Sequence, residues 1–261
     1  MKIAFAGKGG VGKTTLCAWT ADWLARQGHD VWMVDADTAL SLGRASGLEA
    51  GQAPVPLVER QDLIRERIGS GVMRLNPDVG DLPEKLSVEV PMGGDPENGG
   101  KTGRKRLLVM GTVAGAGGGC ACNANALLKA LLAHVVMDRE QWVLVDLEAG
   151  VEHLGRGTVE HVDGLAVVSE PSLRGLETAA SIGRLAKDLG LKRRVLVLNR
   201  HQATNGDEPE LPSLDGLPPL CAVVPPMPGL TRRQLTSPSV LGLPETGLAD
   251  RAVRRLLDAL A

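Results

Sequence analysis

Tyrosine is absent from these 261 residues, phenylalanine occurs once and tryptophan four times. So few rings exclude the stacking platforms on which proteins hold single-stranded nucleic acid. Charge of one sign is missing too: 29 basic residues face 31 acidic ones, which excludes a polybasic nucleic-acid or membrane-surface binder. No run reaches the roughly eighteen apolar residues needed to span a bilayer. The start, Met1-Lys2-Ile3-Ala4-Phe5-Ala6, lacks the apolar core and cleavage site of a secretory signal. A cytoplasmic location is expected, with no nucleic acid and no membrane as partner. The four cysteines are then expected reduced, and Cys17 and Cys221 read as small buried apolar residues. What the chain does hold is glycine, 33 residues clustered in loops, which suits close approach of backbone to a ligand.

Short apolar runs at 2–6, 31–35, 107–111, 142–146, 165–169, 195–199 and 220–224 alternate with helical patterns at 13–27, 123–138, 173–189 and 248–260. Strands apolar throughout are buried on both faces, and alternation with helices predicts a mostly parallel sheet of about seven strands with helices on both sides. Ligands of such sheets lie beyond the strands' carboxyl ends. Residues 51–106, rich in Pro, Gly and charge, read as an insertion into one domain spanning 1–261, with 93–105 an exposed loop and 203–219 a shorter one. The last helix is amphipathic and partly basic, but short and free of aromatics, and reads as a packing helix.

Gly7-Lys8-Gly9-Gly10-Val11-Gly12-Lys13-Thr14 matches G-x-x-x-x-G-K-[ST] at every fixed position, between an apolar strand and a helix. The expected fold is therefore the three-layer α/β sandwich of P-loop NTPases, binding ATP or ADP with Mg²⁺. Gly9, Gly10, Val11, Gly12, Thr14 and Thr15 offer backbone N–H groups at a helix N-terminus. Lys13 is expected on the β- and γ-phosphates and the Thr14 hydroxyl on Mg²⁺. Lys8 makes the segment resemble the deviant Walker A ATPases of the MinD/ParA group. That resemblance implies that Lys8 acts across a homodimer, a cation supplied in trans to the transferring phosphoryl; a solvated lysine is the alternative.

Asp35 and Asp37 end the second strand and Asp146 ends Trp142-Val143-Leu144-Val145, so all three carboxylates point into the ligand crevice. The resemblance assigns Asp37 to the attacking water. Asp35 is expected to contact Mg²⁺ through water and Asp146 to hold a Mg²⁺-bound water. Gly150 stands where a backbone N–H could sense the γ-phosphate, although family members often have Asp-x-Pro-x-Gly where this chain has Asp146-Leu147-Glu148-Ala149-Gly150. In the resembling ATPases an Asn at the place of Asn199 hydrogen-bonds adenine, and Pro225 would pack near the base.

Cys120-Ala121-Cys122 precedes a helical pattern. Alternate residues of an extended chain point the same way, so a soft metal ion could take both thiolates. Two sulfurs do not complete a tetrahedral site; a two-fold axis between two copies would supply four. Structural thiols explain the pair equally well. The surroundings, Gly119-Cys120-Ala121-Cys122-Asn123-Ala124-Asn125 with Glu148-Ala149-Gly150-Val151-Glu152-His153-Leu154-Gly155-Arg156-Gly157-Thr158, resemble the carbon monoxide dehydrogenase maturation ATPases. Arg74-Leu75-Asn76-Pro77, Leu82-Pro83-Glu84-Lys85 and Glu170-Pro171-Ser172-Leu173-Arg174 extend the likeness along nearly the whole chain. The resemblance implies a nucleotide-driven homodimer whose paired Cys120 and Cys122 hold Ni²⁺, or Zn²⁺, for a carbon monoxide dehydrogenase or acetyl-CoA synthase apoenzyme. His153 reads as an auxiliary ligand or a loop histidine, and Glu148, Glu152 and Arg156 as transmitters of nucleotide state. An iron–sulfur reductase and a partitioning or positioning ATPase are the rival readings.

Overall fold

The computed structural model describes residues 1–69, 77–94, 102–111, 141–148, 162–202 and 209–261, with 127, 130, 131 and 134. Eight strands form one sheet: β1 (Lys2–Ala6), β2 (Val31–Ala36), β3 (Val88–Val90), β4 (Lys105–Val109), β5 (Trp142–Leu147), β6 (Gly164–Ser169), β7 (Arg193–Asn199) and β8 (Leu220–Val224). Their spatial order is β3-β4-β2-β5-β1-β6-β7-β8. Every pairing is parallel except β3 with β4.

Alternation along the strands divides the core. In β1, Ile3 and Phe5 face one side and Ala4 and Ala6 the other, and in β2 Val31 and Met33 oppose Trp32 and Val34. The first side is covered by α1 (Lys13–Arg26), α2 (Leu42–Ala45) and the last helix, α7 (Thr246–Leu260). The second is covered by α3 (Gln61–Ile68), α4 (Leu82–Leu86) and α5 (Leu173–Asp188), with helical Leu127 and Leu131. A further short helix, α6 (Pro228–Gln234), follows β8. As expected, α7 packs through Ala252, Val253, Leu256 and Leu260. Among the described residues no helix is long and apolar enough to cross a membrane.

The stretch around 51–106 does more than the sequence suggests. It supplies α3, α4, the added eighth strand β3 and the start of β4, and Ile64, Ile68 and Leu82 are fully buried. The fourth strand begins at Lys105, not Leu107, so the expected loop at 93–105 stops one residue earlier. Lys105 is 1% exposed and gives Asp22 Oδ1 an ion pair of 2.7 Å. That carboxylate also accepts the Gly93 N–H (2.7 Å) and the Arg26 Nε–H (3.1 Å), and Arg26 reaches Asp250 of α7. Charged groups so deeply buried persist only with this density of partners. The tail of α1 is thereby tied to β4 and α7.

Candidate functional site

The chain leaves β1 at the middle of the sheet and turns at once into α1. Gly7 and Gly12 permit the turn. A Cβ on Gly7 would lie 2.2 Å from the Val168 carbonyl oxygen, and one on Gly12, at φ +102°, 2.4 Å from Asn199 Nδ2. No side chain caps α1, which leaves its first backbone N–H groups to a ligand. Above them opens a cleft of about 370 Å³ lined by Gly9, Gly10, Gly12, Lys13, Thr14 and Thr15. Its other walls are Asp37, Thr38, Ala39 and Ser41 after β2, Glu148 after β5, Arg200 after β7, and Gln234 of α6.

Lys13 is 5% exposed, with Nζ 3.4 Å from the Lys8 carbonyl oxygen. Lys8 itself is exposed and is not among the residues lining the cleft. The Thr14 hydroxyl donates to Asp146 Oδ2 at 2.6 Å. Asp146 Oδ1 is buried without a protein partner, and burial pushes this carboxyl up to about 7. Asp35 is its neighbour in register. Its two oxygens accept the backbone N–H groups of Asp37 (3.2 Å) and Leu42 (3.0 Å), and burial pushes it up to about 6. Asp35 therefore shapes the loop after β2 from behind. Asp37 stands in the cleft and accepts the Ala39 N–H at 2.9 Å, while Thr38 donates to Glu148 Oε1 at 3.2 Å. A hydroxyl beside a buried carboxylate with one unused oxygen fits hydrated Mg²⁺ on a nucleotide: Thr14 as direct ligand, Asp146 through water.

Asn199 Nδ2 donates to the Val11 carbonyl at 2.7 Å and Oδ1 accepts the Arg200 N–H at 3.0 Å, so this amide braces the phosphate loop. Pro225 follows β8 half-buried, outside the lining of the cleft. Gly150, Cys120, Cys122, Glu152, His153 and Arg156 lie outside the described residues. Among the described residues no three His, Cys, Asp or Glu gather into a metal-binding cluster. Cys17 is buried, and burial raises its thiol well above the usual range; Cys221 is half-buried and raised to about 12 by the same cause.

The CobQ/CobB/MinD/ParA nucleotide binding domain matches residues 2–233. The chain belongs to this family. It is a P-loop ATPase of that kind, and its MinD/ParA-like sheet carries one antiparallel edge strand. Among relatives in the family, the carbon monoxide dehydrogenase accessory protein CooC of Rhodospirillum rubrum is 43% identical over 207 residues, covering 77% of this chain and 74% of that protein. An uncharacterized ATP-binding protein of Methanocaldococcus jannaschii is 39% identical over 206 residues, covering 77% and 75%. A ParA family ATPase from Chlorobium tepidum shares the fold at a TM-score of 0.65 and 20% identity, covering 100% of this chain and 97% of that one.

Sequence reasoning missed Thr38, Ser41, Arg200 and Gln234 as cleft residues. Arg200 had a signal, since it directly follows a strand's carboxyl end. Gln234 had none, because only tertiary packing brings α6 to the cleft.

Proposed function

We propose that this chain is a nucleotide-dependent dimerising ATPase that carries nickel on the Cys120 and Cys122 pairs of two subunits and assists its insertion into a carbon monoxide dehydrogenase or acetyl-CoA synthase apoenzyme. The observation that carries the reading is Lys8: it belongs to the phosphate loop, yet it is exposed and does not line its own cleft. A second subunit closing over the cleft gives that ammonium a phosphate to act on. The 43% identity with CooC supports the client, and the cysteine pair supports a thiolate-bound cargo.

Within one subunit, taken as a single domain with 51–106 inserted, Lys13 and the backbone N–H groups from Gly9 to Thr15 orient the phosphates. Thr14 and Asp146 would hold Mg²⁺, which would supply charge neutralisation at the phosphates. Asp37 orients the attacking water, and Asp35 keeps Asp37 in position through its backbone N–H. Gly150 follows the γ-phosphate. Asn199 and Pro225 border the adenine. Because the thiolates meet only in the closed dimer, nucleotide and metal affinity are linked reciprocally.

The test is equilibrium Ni²⁺ binding with and without a non-hydrolysable ATP analogue, paired with sedimentation. The analogue should drive dimerisation and tighten Ni²⁺ binding, Lys8→Ala should weaken the dimer, and Cys120→Ser should abolish stoichiometric metal. Metal binding indifferent to Cys120→Ser refutes the cargo, and an analogue-loaded monomer refutes the mechanism.

A further inference from the structure

Glu148 stands where the Asp-x-Pro-x-Gly pattern has proline, a residue with no side-chain acceptor. It lines the nucleotide cleft, and its Oε1 accepts the Thr38 hydroxyl at 3.2 Å across 110 residues of sequence. Thr38 is the exposed tip of a turn that carries Asp37. The Asp37 carbonyl accepts the Leu40 N–H at 3.4 Å. Leu40 has φ 46°, a conformation that a branched side chain adopts rarely and holds where its surroundings fix it. From behind, Asp35 accepts the N–H groups of Asp37 (3.2 Å) and Leu42 (3.0 Å), and the Leu40 side chain packs on the core. At the far end Ser41 donates to Thr14 Oγ1 at 3.5 Å. These contacts fix where the turn begins and ends. Its tip is tied to the neighbouring strand, β5, by the bond to Glu148.

A hydroxyl has one proton to give. Asp37 Oδ1 lies 3.4 Å from Thr38 Oγ1, so the carboxylates of Asp37 and Glu148 compete for that proton, and Glu148 is the nearer. With the proton turned to Glu148, the Asp37 carboxylate keeps the Ala39 N–H at 2.9 Å and lines the cleft. With Glu148 removed, the hydroxyl would turn back onto Asp37 and the tip of the turn would lose its tie to β5.

We propose that Glu148 is a positioning residue for hydrolysis: by holding the Thr38 hydroxyl it keeps that hydroxyl off Asp37 and fixes the turn so that Asp37 meets the attacking water. This rests on the proposed role of Asp37 and adds to it a carboxylate of another strand, which acts through Thr38 and not on the nucleotide.

The experiment is steady-state ATP turnover of the full chain, with Mg-ADP affinity measured by calorimetry on the same preparations. The variants are Glu148→Ala, Glu148→Gln, Thr38→Val, the double variant Glu148→Ala with Thr38→Val, and Asp37→Ala. Losing a hydrogen bond to a charged acceptor should lower kcat about tenfold in Glu148→Ala and in Thr38→Val. KM and Mg-ADP affinity should stay within about twofold, because the phosphate loop carries binding; the retained affinity also shows that the variants fold. Glu148→Gln keeps an acceptor and should stay within about threefold of wild type. The double variant should lose no more than either single one, since both remove the same contact. Losses that multiply in the double variant overturn the assignment. So does a Glu148→Gln as slow as Glu148→Ala, which makes charge and not the contact the cause, and so does a parallel loss of Mg-ADP affinity, which makes Glu148 a binding residue. Unchanged kcat in Glu148→Ala beside an inactive Asp37→Ala overturns the positioning alone. Unchanged turnover in Asp37→Ala overturns the role of Asp37 and the positioning with it.

Discussion

Acidification should loosen Mg-nucleotide binding by more than the nucleotide's own protonation explains. Asp146 is pushed up to about 7 by burial and by the nearby Asp35 and Asp37, against the hydrogen bond from Thr14 and the charge of Lys13. Its folded value lies above the ordinary 3.8. The empty protein therefore gains stability as pH falls from 7 toward 4, and loses it as pH rises through 7. On the proposed role of Asp146, Mg-nucleotide binding carries the opposite sign, because it would use the carboxylate. About nine-tenths of Asp146 is ionised at pH 8 and about one-tenth at pH 6, so affinity for Mg-ADP should fall about tenfold over that interval. Asp35, at about 6, titrates at the lower edge of the same window. Calorimetric titrations at pH 6, 7 and 8 measure the slope, and Asp146→Asn supplies the baseline from the ligand's own ionisation. If wild type and Asp146→Asn give the same slope, Asp146 is not the titrating group and the reasoning fails.

Gly12→Ala should remove Mg-ADP binding altogether, since its Cβ would sit 2.4 Å from Asn199 Nδ2 at φ +102°; a variant that binds within about twofold of wild type contradicts the loop geometry. Asn199→Ala leaves the Val11 carbonyl without its 2.7 Å donor and should cost about 1–2 kcal/mol of unfolding free energy in urea; an unchanged midpoint says the brace is idle. Lys105→Met strips Asp22 of a 2.7 Å buried partner and should cost about 3 kcal/mol, while Asp22 keeps Arg26 and the Gly93 N–H. Unfolding of that variant in urea at the wild-type concentration refutes the weight given to the cluster.

The parallel strands were legible because their signals are local. β1, β2, β5, β6, β7 and β8 each hold a run of apolar residues, with Asp35, Asp146, Ser169 and Asn199 at or next to the carboxyl ends of four of them, and burial on both faces favours that composition. α1, α5 and α7 begin and end within two residues of expectation. β3 was not legible: Val88-Glu89-Val90 is three residues long, and only pairing with β4 makes it a strand. The start of β4 was misread for a different reason. Lys105 looks like loop until Asp22, 83 residues away in sequence, is brought beside it. The same division holds in the site. Lys13, Thr14, Asp37 and Asp146 announce themselves by motif and by position at strand ends. Asp35 reads as one more such residue, and only the coordinates show its oxygens spent on the loop after β2. Asn199 likewise serves the phosphate loop, through a contact spanning 188 residues that no local pattern encodes.

Helix α1 is anchored at the end that meets no ligand. Trp19 donates to the Val240 carbonyl at 2.8 Å, Asp22 and Arg26 join it to β4 and α7, and the Gly103 N–H closes on the Ala25 carbonyl at 2.9 Å. Moored so far from the cleft, the helix cannot tilt or slide when nucleotide arrives without breaking buried charge pairs. Lys13 and Thr14 thus stand on a helix whose far end is fixed. Asp37 and Thr38, whose side chains rest on exposed hydrogen bonds with the Ala39 N–H and Glu148, can shift without breaking any buried charge pair.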